Sequence, residues 1–78
     1  MLDNNEQAVD IKGYRVLTQD EKDRINQLKE LEQRVLEILH DCSYNVPDIN
    51  QRSLVLGRTD IQTGFMWAIR AIARPYGE

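Results

Sequence analysis

The side chains best suited to chemistry fall in two places. His40, Asp41 and Cys42 are consecutive. Neighbours on a helix point in different directions, so His40 and Cys42 do not form a nucleophile–base pair by sequence alone. His40 is the only histidine and Cys42 the only cysteine, so no Cys/His spacing holds zinc and no internal disulfide can form. A single thiol also fits a cytosolic setting. The carboxylates alternate with bases, as on an ordinary exposed helix, and Gly57 and Gly64 are too isolated for a phosphate-binding loop. The expectation is a protein that is not an enzyme, with no catalytic residues, no metal and no cofactor.

The second place is Arg58-Thr59-Asp60-Ile61-Gln62-Thr63-Gly64. Arg58 and Gln62 are four apart, as are Thr59 and Thr63, so each pair shares a helix face. One turn then offers guanidinium, hydroxyl and amide groups beside a glycine. Those groups suit a phosphate or a base edge; a solvated surface turn has the same make-up. Arg70 lies in apolar surroundings, where an isolated charge is costly. Anion binding at a subunit junction and an internal ion pair with Glu32 or Asp60 both fit.

Charge is divided unevenly. Residues 1–46 hold ten acids and six bases, a net of −4, and residues 47–78 hold three acids and four bases, a net of +1. All four bases of the second part are arginines (Arg52, Arg58, Arg70 and Arg74), whose planar forks match phosphates and stack on bases. The whole chain is acidic, with a pI near 5.1, which disfavours sequence-blind binding to duplex DNA or anionic membranes.

The elements that must position these groups are helices. Asp3 and Glu6 have the spacing of a capping box, Ala8, Val9 and Ile11 give a weak apolar face, and Gly13 is a plausible stop, so a short helix is expected within residues 1–15. Thr18-Gln19-Asp20-Glu21 is a second capping box, with Asp20 and Glu21 placed well against the positive end of a helix dipole. Ile25, Leu28, Leu31, Val35, Ile38, Leu39 and Cys42 then follow in steps of three and four, the stripe of an amphipathic helix over 18–41. Residues 42–48 read as a turn, in which Pro47 can open the next helix and Asp48 or Asn45 can cap it. A second long helix is expected over 49–73, and 74–78 as a tail.

That second helix contains Gly57, Gly64 and Ala71 at seven-residue intervals, with Ile61 and Ala68 between them. Each interior glycine costs about 1 kcal/mol relative to alanine. A seam of small side chains lets another helix approach closely, either within one hairpin or from another chain. The run Gly64-Phe65-Met66-Trp67-Ala68-Ile69-Arg70-Ala71-Ile72-Ala73 is apolar on every side except at Arg70. A two-helix hairpin covers one side of it, so other copies of the chain are the simplest cover for the rest.

Length supports this reading. Seventy-eight residues, 41% apolar and 29% charged, allow one soluble, folded domain over 1–78 with a thin core. Disulfides and metals are excluded as supports, which leaves oligomerisation. No window of 18 apolar residues exists, so no transmembrane helix is expected. The first 20 residues carry Asp3, Glu6 and Asp10 without an apolar core, so no signal peptide is expected.

Two stretches resemble a known family. One is Lys12-Gly13-Tyr14-Arg15, followed by Leu17-Thr18 and a helix that continues to Leu28-Lys29. The other runs from Gly57 to Met66, followed by Ala71 and Pro75. Together they resemble the phage-encoded cyclic-nucleotide sponges that defeat bacterial CBASS immunity, which share a hairpin domain with the sponges against Thoeris immunity. The resemblance implies an all-α fold: a short N-terminal helix and a long antiparallel helical hairpin, assembled into a homohexamer. It implies sequestration, without cleavage, of cyclic di- or trinucleotides or cyclic ADP-ribose variants in the host bacterial cytoplasm, with no role for linear nucleic acid or membrane. Carried over by motif, Tyr14 stacks on a base and Lys29 meets a phosphate in a pocket between two chains. Arg58, with Thr59 or Thr63, lines a second pocket around a symmetry axis. Gln62, on the Arg58 face, and Arg70, at a subunit junction, are further candidate ligand contacts read from the residues themselves. The rival reading is a helical oligomerisation or protein-interaction module without a nucleotide ligand.

Overall fold

In the computed structural model the described residues are 16–74. They form two antiparallel α-helices, α1 (Gln19–Asn45) and α2 (Gln51–Ala73). The expected short helix within 1–15 and most of the 74–78 tail lie outside the described residues.

Helix α1 starts where the sequence places it. The Glu21 amide donates to the Thr18 hydroxyl oxygen at 3.1 Å, and the Glu21 carboxylate accepts from the Thr18 amide at 2.9 Å. Two of the amides left over at a helix start are thereby satisfied. The first turn adds side-chain pairs at four-residue spacing, Gln19 to Asp23 and Arg24 to Asp20.

The far end of α1 differs from expectation. The helix runs on to Asn45, four residues past the expected end at 41. Asn45 Nδ2 donates to Asp41 at 2.7 Å, and the His40 and Tyr44 rings meet edge-on at 5.0 Å. Both contacts link residues four apart, so turn-forming side chains here are used to sustain one more helical turn. Neither Asn45 nor Asp48 caps α2, and Pro47 does not open it. Asn50 is the cap, accepting from the Ser53 amide at 2.9 Å. The chain reverses over Val46–Ile49, with Pro47 at the first corner and Asp48 at φ 58°, the sign of a type II turn. Aspartate tolerates that left-handed conformation better than most side chains.

The seam between the helices is thin. Ile25 and Ala73, at 7% and 8% exposure, are the only buried apolar side chains among the described residues, and neither is fully enclosed. Half-buried Leu28, Val35, Leu36, Leu39 and Cys42 continue the seam on α1, facing Leu54, Ile61, Phe65, Ile69 and Ile72 of α2. Leu31 and Ile38, expected in the same stripe, stand off it at 57% and 51% exposure. One neighbouring helix covers only part of a cylinder, and the wide apolar stripe of α1 exceeds that part. At the open end, Arg74 reaches Glu21 at 3.8 Å, so the carboxylate that closes the capping box also ties the end of α2 to the start of α1. At the closed end, Gln51 Nε2 donates to the Ser43 carbonyl oxygen.

Candidate functional site

Those two cross-links set the register. Lys29 of α1 lies about level with Phe65, and Arg58 of α2 about level with Leu36, so the two cations are separated by roughly 10 Å along the hairpin axis. Both are exposed. Thr59, Gln62 and Thr63 are exposed too, within about two turns of Arg58. The four polar residues on α2 therefore form one accessible patch. Arg70 is not part of it. Twelve residues beyond Arg58, it lies about 18 Å further along the helix. Tyr14 lies outside the described residues.

Arg70 is half-buried, and its Cζ sits 5.4 Å from the centre of the Trp67 ring, one turn back. A guanidinium over an indole is attracted by the electron-rich face. Asp60, one of its expected ion-pair partners, is ten positions back on the same helix, about 15 Å away. The indole itself is 58% exposed, beside Met66 at 46%.

Among the described residues, two concavities bear on these side chains. The first is an apolar groove of about 270 Å³ where Leu28 of α1 meets Ile61, Gly64, Phe65 and Ala68 of α2. A methyl group built on Gly64 or on Gly57 would meet nothing within 4 Å. The glycines are thus not required by contact within the hairpin, which removes one of the two explanations for the small-residue seam. Leu31 and Ile38, three and ten residues after Leu28, continue the apolar surface on α1 away from the seam.

The second is an open polar depression of about 500 Å³ on α1, lined by Lys29, Glu30, Gln33, Arg34 and Glu37. Its members are spaced for the same four-residue pairs seen elsewhere on α1. Among the described residues, however, no hydrogen bond or ion pair joins Lys29 to Gln33, Glu30 to Arg34, or Gln33 to Glu37. Donors and acceptors here remain turned outward. Of these residues only Lys29 is singled out beforehand, and by the motif resemblance rather than by spacing. No group of His, Cys, Asp and Glu among the described residues is arranged to hold a metal. No described helix is long and apolar enough to cross a membrane.

A family model described as Acb2/Tad1, hairpin domain, matches residues 6–73. The chain belongs to this family. The match takes in both helices and their connection, together with the segment that bears Tyr14, and it supports a general anti-defence role of the sponge type. No curated protein matches the chain. In this hairpin the polar residues Lys29, Arg58, Thr59, Gln62 and Thr63 and the apolar residues Leu31, Ile38, Met66 and Trp67 are all exposed.

Proposed function

We propose that this protein is a non-enzymatic sponge: a homo-oligomer, hexameric by family resemblance, that binds cyclic oligonucleotide immune signals intact and withholds them from their effector in the host bacterial cytoplasm. The observation that carries the reading is the family match over residues 6–73. The thin seam supports the oligomeric part. Among the described residues nine large apolar side chains are exposed, including Leu31, Ile38, Met66 and Trp67, surface that further copies of the chain would cover.

The chemistry follows from repetition. A cyclic ligand carries two or three phosphates and as many bases. Subunits arranged by symmetry present the same cation several times, so one kind of contact serves every phosphate. Lys29 supplies a point charge for a phosphate of a dinucleotide, and Tyr14 a ring for a base, a stack worth about 1–3 kcal/mol. Arg58, Thr59, Gln62 and Thr63 supply donors for a second, trinucleotide pocket where several copies converge; Arg70, standing apart on α2, contacts ligand or a neighbouring chain at a separate point. The acidic surface as a whole disfavours linear nucleic acid while these local donors hold a small anion.

The test is calorimetric titration with cyclic di- and trinucleotides, followed by denaturation and recovery of the ligand. Intact ligand, returned in the amount bound, is the expected outcome. No heat and no retention of any cyclic nucleotide indicates the interaction module instead, and cleaved ligand indicates an enzyme.

A further inference from the structure

One side of the hairpin carries large and small apolar residues in matching rows. On α1, Leu31 and Ile38 follow the half-buried seam residues Leu28 and Val35 by three positions. On α2, Gly57 and Gly64 follow the seam residues Leu54 and Ile61 by the same step. A step of three turns a helix position about 60° off the seam, and in an antiparallel pair it leads to the same side on both helices. The groove of about 270 Å³ between Leu28, Gly64 and Ala68 opens on that side. Lys29 and Arg58, each four positions after a seam residue, turn the other way.

The register makes the rows correspond. Leu31 falls within about 1.5 Å of the level of Gly64, and Ile38 within about 1.5 Å of the level of Gly57. Leu31 and Ile38 project, at 57% and 51% exposure, while a methyl group on either glycine would meet nothing within 4 Å. A further step of three on each helix reaches Arg34 and Asp60, which stand at one level on the outer edges of this side. Among the described residues neither makes an ion pair within the hairpin.

We infer that this side packs on a second copy of the chain about a twofold axis running along the hairpin. The inference rests on the reading of the protein as a homo-oligomer and names the face and register of one contact. Each α1 then lies antiparallel on α2 of the other copy, as in a four-helix bundle. Leu31 seats on Gly64 of the partner subunit and Ile38 on Gly57 of the partner subunit, and the twofold repeats both contacts in reverse. Arg34 comes beside Asp60 of the partner subunit at both edges. A twofold axis across the hairpin would stack α1 on α1 and α2 on α2, setting large against large, small against small and like charges together. Complementarity of size and of charge therefore selects the first arrangement. Lys29 and Arg58 stay uncovered by this contact.

The test is disulfide trapping in full-length chains that carry Cys42→Ser. Leu31→Cys and Gly64→Cys chains are mixed, left to exchange and oxidised with glutathione disulfide, and non-reducing electrophoresis reads a band at twice the chain mass of 9.1 kDa. Roughly half of the chains are expected to link, the share in which unlike copies meet at random. Either variant alone is expected to stay unlinked, because the twofold sets the two α1 helices diagonally. Leu31→Cys with Gly57→Cys is the control for register: those positions stand about 10 Å apart along the axis, out of disulfide reach. In light scattering, Arg34→Asp and Asp60→Arg are each expected to raise the dissociation constant of the assembly about tenfold, and the double exchange to restore it. If the wild type assembles and holds cyclic nucleotide while Leu31/Gly64 links no better than Leu31/Gly57, this inference is wrong and the sponge reading stands. If the wild type is a single chain at every concentration, both are overturned.

Discussion

Alanine at Gly57 and Gly64 separates a lone hairpin from an assembled one, because the two states predict opposite signs. Both glycines lie within α2, and a methyl group at either position would enter open space. In an isolated hairpin, each change removes the backbone-entropy cost of an interior glycine, about 1 kcal/mol. At this chain length, 1 kcal/mol corresponds to roughly 4–8 °C in the melting temperature. The isolated double variant should therefore melt about 10 °C or more above the wild type. A second chain packed closely on the same face reverses the balance, since an added methyl in a filled interface costs about 1–3 kcal/mol through displaced neighbours. Gly64 also lines the groove beside Leu28 and Phe65, where a methyl shrinks the space available to another chain. The assay is thermal unfolding across a hundredfold range of protein concentration, with mass by light scattering at each point. The expected result is a higher melting temperature in the dilute, dissociated range and a weaker assembly at high concentration. If both variants gain stability at every concentration with mass unchanged, the small-residue face is not a close contact between chains, and the structural case for shared pockets loses its footing on α2.

Further outcomes follow from the same geometry. Leu31→Lys combined with Ile38→Lys should keep helix content, because both side chains are more than half exposed, while light scattering falls toward the single-chain mass of 9.1 kDa. Thr18→Ala removes the acceptor of the Glu21 amide and should lower stability by about 1 kcal/mol in a thermal melt, with Thr18→Ser close to wild type. Tyr14→Ala and Lys29→Ala should each weaken cyclic dinucleotide binding by calorimetry with the oligomeric mass unaltered. Arg58→Ala should spare that binding and weaken a cyclic trinucleotide; equal losses for both ligands would refute the separation that the 10 Å offset between the two cations suggests.

Much of the architecture is local and so was readable in the chain itself. The start of α1 depends on four consecutive residues, Thr18 to Glu21, whose hydrogen bonds close among themselves. The continuity of α2 through two glycines was readable because no proline interrupts residues 51–73. The excess of apolar surface was readable from a run greasy on every side. The hairpin's closed end was not. Asp41, Ser43, Asn45, Pro47 and Asp48 favour several turns almost equally, and the choice fell to contacts such as His40 against Tyr44 and Gln51 to the Ser43 carbonyl.

Only the tertiary structure decided which part of each apolar stripe faces inward. Periodicity gives the angle of every side chain around its own helix, but not the angle at which the partner helix lies. Ile25 and Leu28 therefore looked equivalent to Leu31 and Ile38 until the register placed the first pair in the seam and left the second in solvent. The same packing leaves room for a methyl group at Gly57 and Gly64, and the register of the two helices sets Lys29 and Arg58 at different levels of the hairpin. Sequence fixes what each helix offers on each of its sides, and packing fixes which side is spent on holding the hairpin and which is left for other molecules.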